Sequence, residues 1–301
     1  MNIFQSCDLI IQSGAPAFWA NTETNSYSHQ AEWVYPLWYG VISVLHNRIP
    51  VFNIGVGSCV KYGSNCFELF GNKRCVTFLK DMLSFCKLTT VRDRLALNIC
   101  RKLGASNTQK IICPSILAAK RYSLVKNERG KYVVFNYMKG GGHFYMWDKR
   151  IHPDRWETIA REVIKQLSKK WKVKMLCHSI EERKEARKVA PECEFLQFSN
   201  SYSQLLELRN AEFGICNRVH ASMSLASLGI PSVTIGSDSR ALLIEELNLP
   251  HFFVGDQSLS TNTLLQCTEN ILNNYRKIHS SLIRRQRQTE IKYIELLTHI
   301  L

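Results

Sequence analysis

Short β-branched runs alternate with longer helical runs along nearly the whole chain, and this alternation limits the possible folds more than any other feature. DLIIQS (8–13), PVFNIGVGS (50–58), KLTTVRD (87–93) and KIICP (110–114) read as buried strands. HQAEWVYPLWYGVISVLHN (29–47), CVTFLKDMLSFC (75–86) and RLALNICRKLG (94–104) read as helices, the last stopping at Gly104. The pattern fades across the charged stretch LAAKRYSLVKNERG (117–130), read as a linker, and then restarts. KYVVFN (131–136), KVKMLCH (172–178), CEFLQF (193–198), EFGICN (212–217) and PSVTIG (231–236) read as strands. Helices are expected over 154–171, 181–190, 201–211, 218–229 and 239–248. In the first of these Trp156, Ile159, Val163, Ile164, Leu167 and Trp171 recur at helical spacing.

Strands separated by helices pair in parallel, with helices covering both faces of the sheet. The expected class is therefore α/β, with two Rossmann-like domains facing a cleft. The boundaries read as 1–122 and 123–278, followed by a long amphipathic helix over 279–301. Ligands of such folds lie beyond the carboxyl ends of the strands.

The formal net charge of +14 admits three kinds of partner: nucleic acid, an anionic membrane surface or a phosphorylated small molecule. The positive charge is spread over KKWKVK (169–174), EERKEARK (181–188) and RRQR (284–287), which read as solvated helix faces. Aromatic interleaving, a helix-turn-helix and a zinc-finger pattern are all missing, so nucleic acid is not the expected partner. No apolar run approaches the ~20 residues that span a bilayer. The first twenty residues lack a basic leader, so a cytoplasmic protein is expected, with a place at the inner membrane face. The 11 cysteines are odd in number and form no CxxC pair. They read as small buried hydrophobes in a reducing compartment, with no metal site and no cofactor.

The chemistry concentrates at strand ends. EFGICN delivers Asn217, Arg218 and His220 to the start of the next helix, where unpaired amides and a partial positive charge favour an anion. An arginine there grips carboxylate or phosphate, and a histidine two residues on can exchange a proton with the same ligand. The alternative is that Arg218 pairs with a protein carboxylate and His220 serves as a cap. The next strand ends in GSDSR (236–240), adding Asp238 as a cap and Arg240 as a second cation. Arg92 and Asp93 end another strand, facing either the cleft or each other as a local ion pair. Gly14 in SGAP and Gly57 in GVGS let backbone approach a ligand or simply make tight turns. His143, on the glycine-rich loop KGGGH, and His178, ending KVKMLCH, are further candidates.

The order of these pieces resembles the polysaccharide pyruvyl transferase family. The most specific stretch is GICNRVHASMSLASLGIPSVTIGSDSRALLIEELNLP (214–250), similar to that family's Arg-x-His strand end, Ala/Leu helix, Gly-Ile-Pro strand and following basic residue. VRDRLALNICRKLG (91–104), DLIIQSGAPAF (8–18) and NIGVGS add weaker matches, and the likeness covers about residues 8–250. The resemblance implies a GT-B-like pair of domains, the N-terminal one shortened by its first strand and helix. It implies transfer of pyruvate from phosphoenolpyruvate onto sugar hydroxyls as a ketal. Arg218 and His220 match the catalytic motif, and Arg240 matches the donor-binding cation. The implied partners are phosphoenolpyruvate, as substrate rather than cofactor, and a sugar or lipid-linked glycan acceptor. The basic terminal helix, for its part, reads first as packed back across the domains, with a peripheral membrane contact holding a lipid-linked substrate as the alternative. A GT-B glycosyltransferase using a nucleotide sugar and a non-catalytic remnant are the competing expectations.

Overall fold

The computed structural model describes residues 4, 6–13, 16–19, 38–71, 73–128 and 130–300. The chain forms two compact units, Met1–Cys113 and Pro114–Leu301. The division falls before the expected 122/123 boundary for a physical reason. Ala119 is fully buried in the core of the second unit, so the stretch read as a linker belongs to that unit.

The first unit is built on five parallel strands: β1 (Ile10–Ser13), β2 (Pro16–Trp19), β3 (Val51–Cys59), β4 (Leu88–Val91) and β5 (Thr108–Lys110). Their order is β1-β3-β4-β5, and β2 pairs with the far end of β3. All nine residues of β3 are buried, as expected of a strand apolar on both faces. Helices α1 (Lys73–Phe85) and α2 (Arg94–Lys102) pack Phe78, Leu79, Met82 and Ile99 against Val51 and Val91. Each such side chain contributes about 1.5–3 kcal/mol on burial. Two readings shift here. The strand placed at 110–114 lies at Thr108–Lys110. Of the helix placed at 29–47, residues 29–37 lie outside the described residues, and 38–45 forms a π-type turn followed by one short α turn.

The second unit has six parallel strands: β6 (Tyr132–Asn136), β7 (Val173–Met175), β8 (Glu194–Phe195), β9 (Ala211–Cys216), β10 (Ser232–Gly236) and β11 (His251–Phe253). Their order is β11-β10-β9-β6-β7-β8. The chain therefore moves outward from β6 to β8, returns to the other side of β6, and moves outward again to β11. That reversal creates a switch point between β6 and β9, where the connections diverge above and below the sheet.

The covering helices are α3 (Pro153–Ser168), α4 (Ile180–Val189), α5 (Ser201–Leu208), α6 (Val219–Ser227), α7 (Thr261–Asn273) and α8 (Tyr275–Ile300). Trp156 of α3 is 1% exposed, stacks beside Phe135 and Tyr137, and donates its indole N–H to the Met138 carbonyl at 3.1 Å. β11 and α7 were not read from the sequence. The segment 239–248, read as a helix, is 3₁₀ over Ser239–Leu247, with Asp238 as its N-cap accepting from the Arg240 amide at 2.9 Å. The terminal helix begins at Tyr275, not 279, and packs on the second unit. Its Gln286 donates to the carbonyls of Ala226 and Ser227, both at 2.8 Å, and His279 meets the Gly229 carbonyl at 2.8 Å. These contacts tie α8 to the carboxyl end of α6 and the turn after it.

Candidate functional site

The two strands flanking the switch point both run into asparagine, and each asparagine ties the strand ends together. Asn136 closes β6, donating to the Leu176 carbonyl at 2.8 Å and accepting from the Arg218 amide at 2.7 Å. Asn217 follows β9, accepting from the Met138 amide at 2.7 Å and donating to the Ile235 carbonyl at 2.8 Å. Both atoms of the Asn217 amide are thus committed to main chain, and the residue is 4% exposed. This expected ligand residue holds the floor of the site.

Above that floor is a pocket whose wall includes His143, Arg218, His220, Ser237, Asp238 and Arg240. Arg218 is the N-cap of α6 in an extended conformation, and His220 lies exposed in the first helical turn. The second rim is the start of the 3₁₀ helix after β10. There Asp238 takes the Arg240 guanidinium in a two-point fork, Nε at 2.8 Å and a terminal nitrogen at 2.7 Å.

The third rim is the loop after β6. It is not the open glycine loop that KGGGH suggests, because Gly140, Gly141 and Gly142 are all buried. Gly142 has φ +145°, and a Cβ there would lie 2.5 Å from Ser237 Oγ, so only glycine lets this loop close on β10. The loop delivers His143 to the pocket mouth. The residue as a whole is exposed, yet its ring is partly desolvated. That desolvation, followed by the positive fields of Arg240 and Arg218, holds its imidazole below the ordinary histidine value.

Behind Arg218 stands a carboxylate that the sequence reading placed on a solvated face. Glu182, on α4, is 7% exposed and accepts from Arg218 Nε at 2.5 Å. Its second oxygen accepts from the His178 amide at 2.9 Å. Burial alone would push this carboxyl up. Hydrogen bonds from His178 and Arg218, with the arginine's charge, outweigh it and hold the carboxyl down at about 2. His178 does not line the pocket; its ring rests 3.8 Å from Glu182 and 3.1 Å from Gln204. A sequence signal existed for Glu182. Ser179 caps α4 and Glu182 follows three residues later, the spacing of a capping box.

The first unit's expected ligand residues have structural employment. Arg92 is 1% exposed, with its guanidinium laid against Gly57, where a Cβ would meet Nε at 2.4 Å. Gly57 therefore makes room for Arg92. Asp93 caps α2 through Ala96 N at 2.7 Å and accepts from both the amide and hydroxyl of Ser58 at 3.1 Å. Burial pushes its carboxyl up against those hydrogen bonds. Gly14 lies outside the described residues.

Among the described residues no group of three or more His, Cys, Asp or Glu is placed to hold a metal ion. Among the described residues no two cysteines form a disulfide, and burial pushes the thiols of Cys86, Cys100, Cys177 and Cys216 up to about 12.

Several solved structures share this architecture, at identities that establish the fold alone. The UDP co-structure of S. aureus MnaA has a TM-score of 0.53 at 10% identity, covering 93% of this chain and 71% of its own. The UDP-GlcNAc 2-epimerase of Methanocaldococcus jannaschii, with UDP-GlcNAc and UDP, has a TM-score of 0.50 at 12% identity, covering 83% and 76%. WaaG, a glycosyltransferase involved in lipopolysaccharide biosynthesis, has a TM-score of 0.49 at 10% identity, covering 96% and 88%. The likeness to MnaA marks the fold as GT-B-like. Among curated proteins none matches the chain. The family model for polysaccharide pyruvyl transferases matches residues 3–239, a span that takes in β1 through β10 and the Arg218-x-His220 corner. Carrying that match over most of its length, the chain belongs to the polysaccharide pyruvyl transferase family.

Proposed function

We propose that the pocket at the β6/β9 switch point binds phosphoenolpyruvate and that the chain transfers its pyruvate to two hydroxyls of a glycan as a ketal. The observation that carries this reading is the convergence of Arg218, Arg240, His143 and His220 on one pocket at the start of α6. Phosphoenolpyruvate bears a carboxylate and a phosphate, so two guanidinium groups suit it. Protonation of its methylene carbon makes C2 electrophilic. One sugar hydroxyl adds to C2, inorganic phosphate departs, and a second hydroxyl closes the ketal as its proton is lost.

His220 is assigned as proton donor, being two residues from the anion-gripping arginine and open at the pocket wall. Arg218 and Arg240 hold the donor's anionic groups, while Glu182 and Asp238 fix the two guanidinium groups in place. The acceptor is a sugar hydroxyl of a polysaccharide or glycan precursor.

A nucleotide diphosphate is the competing ligand, favoured by the fold shared with UDP-bound MnaA. A thermal-shift titration separates the two. Phosphoenolpyruvate should stabilise the wild type and not the Arg218→Ala/His220→Ala variant. Stabilisation by UDP or GDP without phosphoenolpyruvate would move the protein to the nucleotide-sugar transferases.

A further inference from the structure

The family match stops at residue 239, leaving α8 outside it. This helix has two distinct faces. Leu282, Gln286, Thr289, Tyr293 and Leu296 form the buried stripe. On the opposite side Arg276, Arg284, Arg287, Ile291 and Ile294 share one helical face, and all are exposed. Two isoleucines that are 55% and 58% exposed, on a helix with a complete inward face, leave apolar area in water without any gain to folding.

The flank of this face continues the same composition. Lys120 pairs with Glu290 and ties the short helix Ala118–Arg121 alongside α8. Beside it Tyr122 and Tyr202, 37% and 44% exposed, hold their rings 5.1 Å apart, with the Arg121 guanidinium 5.9 Å from the Tyr122 ring. Val125 is 73% exposed at the mouth of a cavity of about 630 Å³ walled by Leu124, Leu228 and Ile283. Tyrosine and aliphatic side chains interleaved with arginine and lysine suit the headgroup layer of a bilayer, which offers both phosphate and apolar depth. A nucleic acid would use the cations and leave the isoleucines and Val125 unpaired. A second copy of the chain would set arginine against arginine.

We propose that the outward face of α8, with the flanking 120–126 segment, docks on an anionic phospholipid surface. The helix lies in the headgroup plane, its arginines on phosphates and its exposed isoleucines inserted. No helix among the described residues is long and apolar enough to cross a membrane. This surface does not depend on what fills the anion pocket.

Co-sedimentation of the full chain with vesicles tests it. The wild type should bind phosphatidylcholine vesicles containing phosphatidylglycerol and not those of phosphatidylcholine alone. Arg284→Gln with Arg287→Gln should weaken binding roughly tenfold or more. Ile291→Ser with Ile294→Ser should weaken it by several-fold and abolish what survives at high salt. All four positions meet solvent, so unchanged melting curves should accompany both variants. Failure of the wild type to bind the anionic vesicles would overturn the proposal. So would equal binding to both vesicle types, or loss with the arginine pair but none with the isoleucine pair, since that pattern belongs to a purely ionic partner such as RNA.

Discussion

Arg218 Nε donates to Glu182 Oε1 at 2.5 Å, joining the N-cap of α6 to the first turn of α4 across the mouth of β6. The two residues are separated by 36 positions in sequence and are brought together because β6, β7 and β9 end side by side. The carboxylate is almost wholly buried, while a third of the arginine side chain meets water. Glu182 therefore holds the guanidinium from the buried side, and the solvated part of Arg218 is left for a ligand.

Removing the charge while keeping the shape tests this division. Glu182→Gln leaves an amide where the carboxylate accepted from Arg218 and His178. The expected loss of stability is about 1–2 kcal/mol, reduced from that of a fully buried pair because Arg218 is partly solvated. The loss should depend on pH. The Glu182 carboxyl is depressed from 4.5 to about 2 in the folded chain, so its contribution is complete above the ordinary carboxylate value. It should fade as pH falls from about 4.5 toward 2, where wild type and variant converge in urea denaturation curves. Parallel curves across that range would remove the assignment.

Arg218→Ala should weaken phosphoenolpyruvate binding by about 1.5–3 kcal/mol, the scale of a charged hydrogen bond. Isothermal titration calorimetry measures this directly, and equal affinity would place the ligand elsewhere. His220→Ala should leave affinity nearly unchanged and abolish most turnover, since a proton donor acts on the transition state. The reverse pattern, lost binding with retained turnover, would take the proton-donor role from His220.

His143 reports on the same pocket from its mouth. Its imidazole is held below the ordinary histidine value, first by desolvation and then by Arg240 and Arg218. The unfolded chain takes up this proton at higher pH than the folded one. Stability from neutral His143 is therefore full above the ordinary value and lost as pH falls through it toward the folded value. An anion seated between the arginines reverses the local field and should raise the His143 value. NMR titration of the ring with and without saturating phosphoenolpyruvate checks this. A ring that titrates identically in both would separate His143 from the ligand.

The strand ends were legible and the partners behind them were not. EFGICN stops being apolar at Asn217, so a strand end and the following Arg-x-His corner could be placed from the residues alone. What Asn217 does there could not, because its side chain's two partners, the Met138 amide and the Ile235 carbonyl, come from the loop after β6 and from β10. EERKEARK shows charge density without direction, and that density hid Glu182. Yet Glu182, Ala186 and Val189 share one helical stripe, and the two apolar members mark the buried side. For Arg92 the sequence left two roles open, cleft-facing cation or local ion pair, and its seat on Gly57 depends on a contact between β3 and the end of β4 that no spacing reveals.

That seat gives the last prediction. Gly57→Ala would set a methyl 2.4 Å from Arg92 Nε, so the guanidinium must leave a position where it is 1% exposed. Asp93→Ala would unmake the α2 cap and remove the acceptor that takes the buried Ser58 amide and hydroxyl. The expected cost of the second change is about 1–3 kcal/mol, from a lost cap and lost buried hydrogen bonds. Both variants should lower the melting temperature while leaving phosphoenolpyruvate affinity, measured below that temperature, within about twofold of wild type. If instead affinity collapsed while the melting curve held, the purely structural role given to Arg92 and Asp93 would fall.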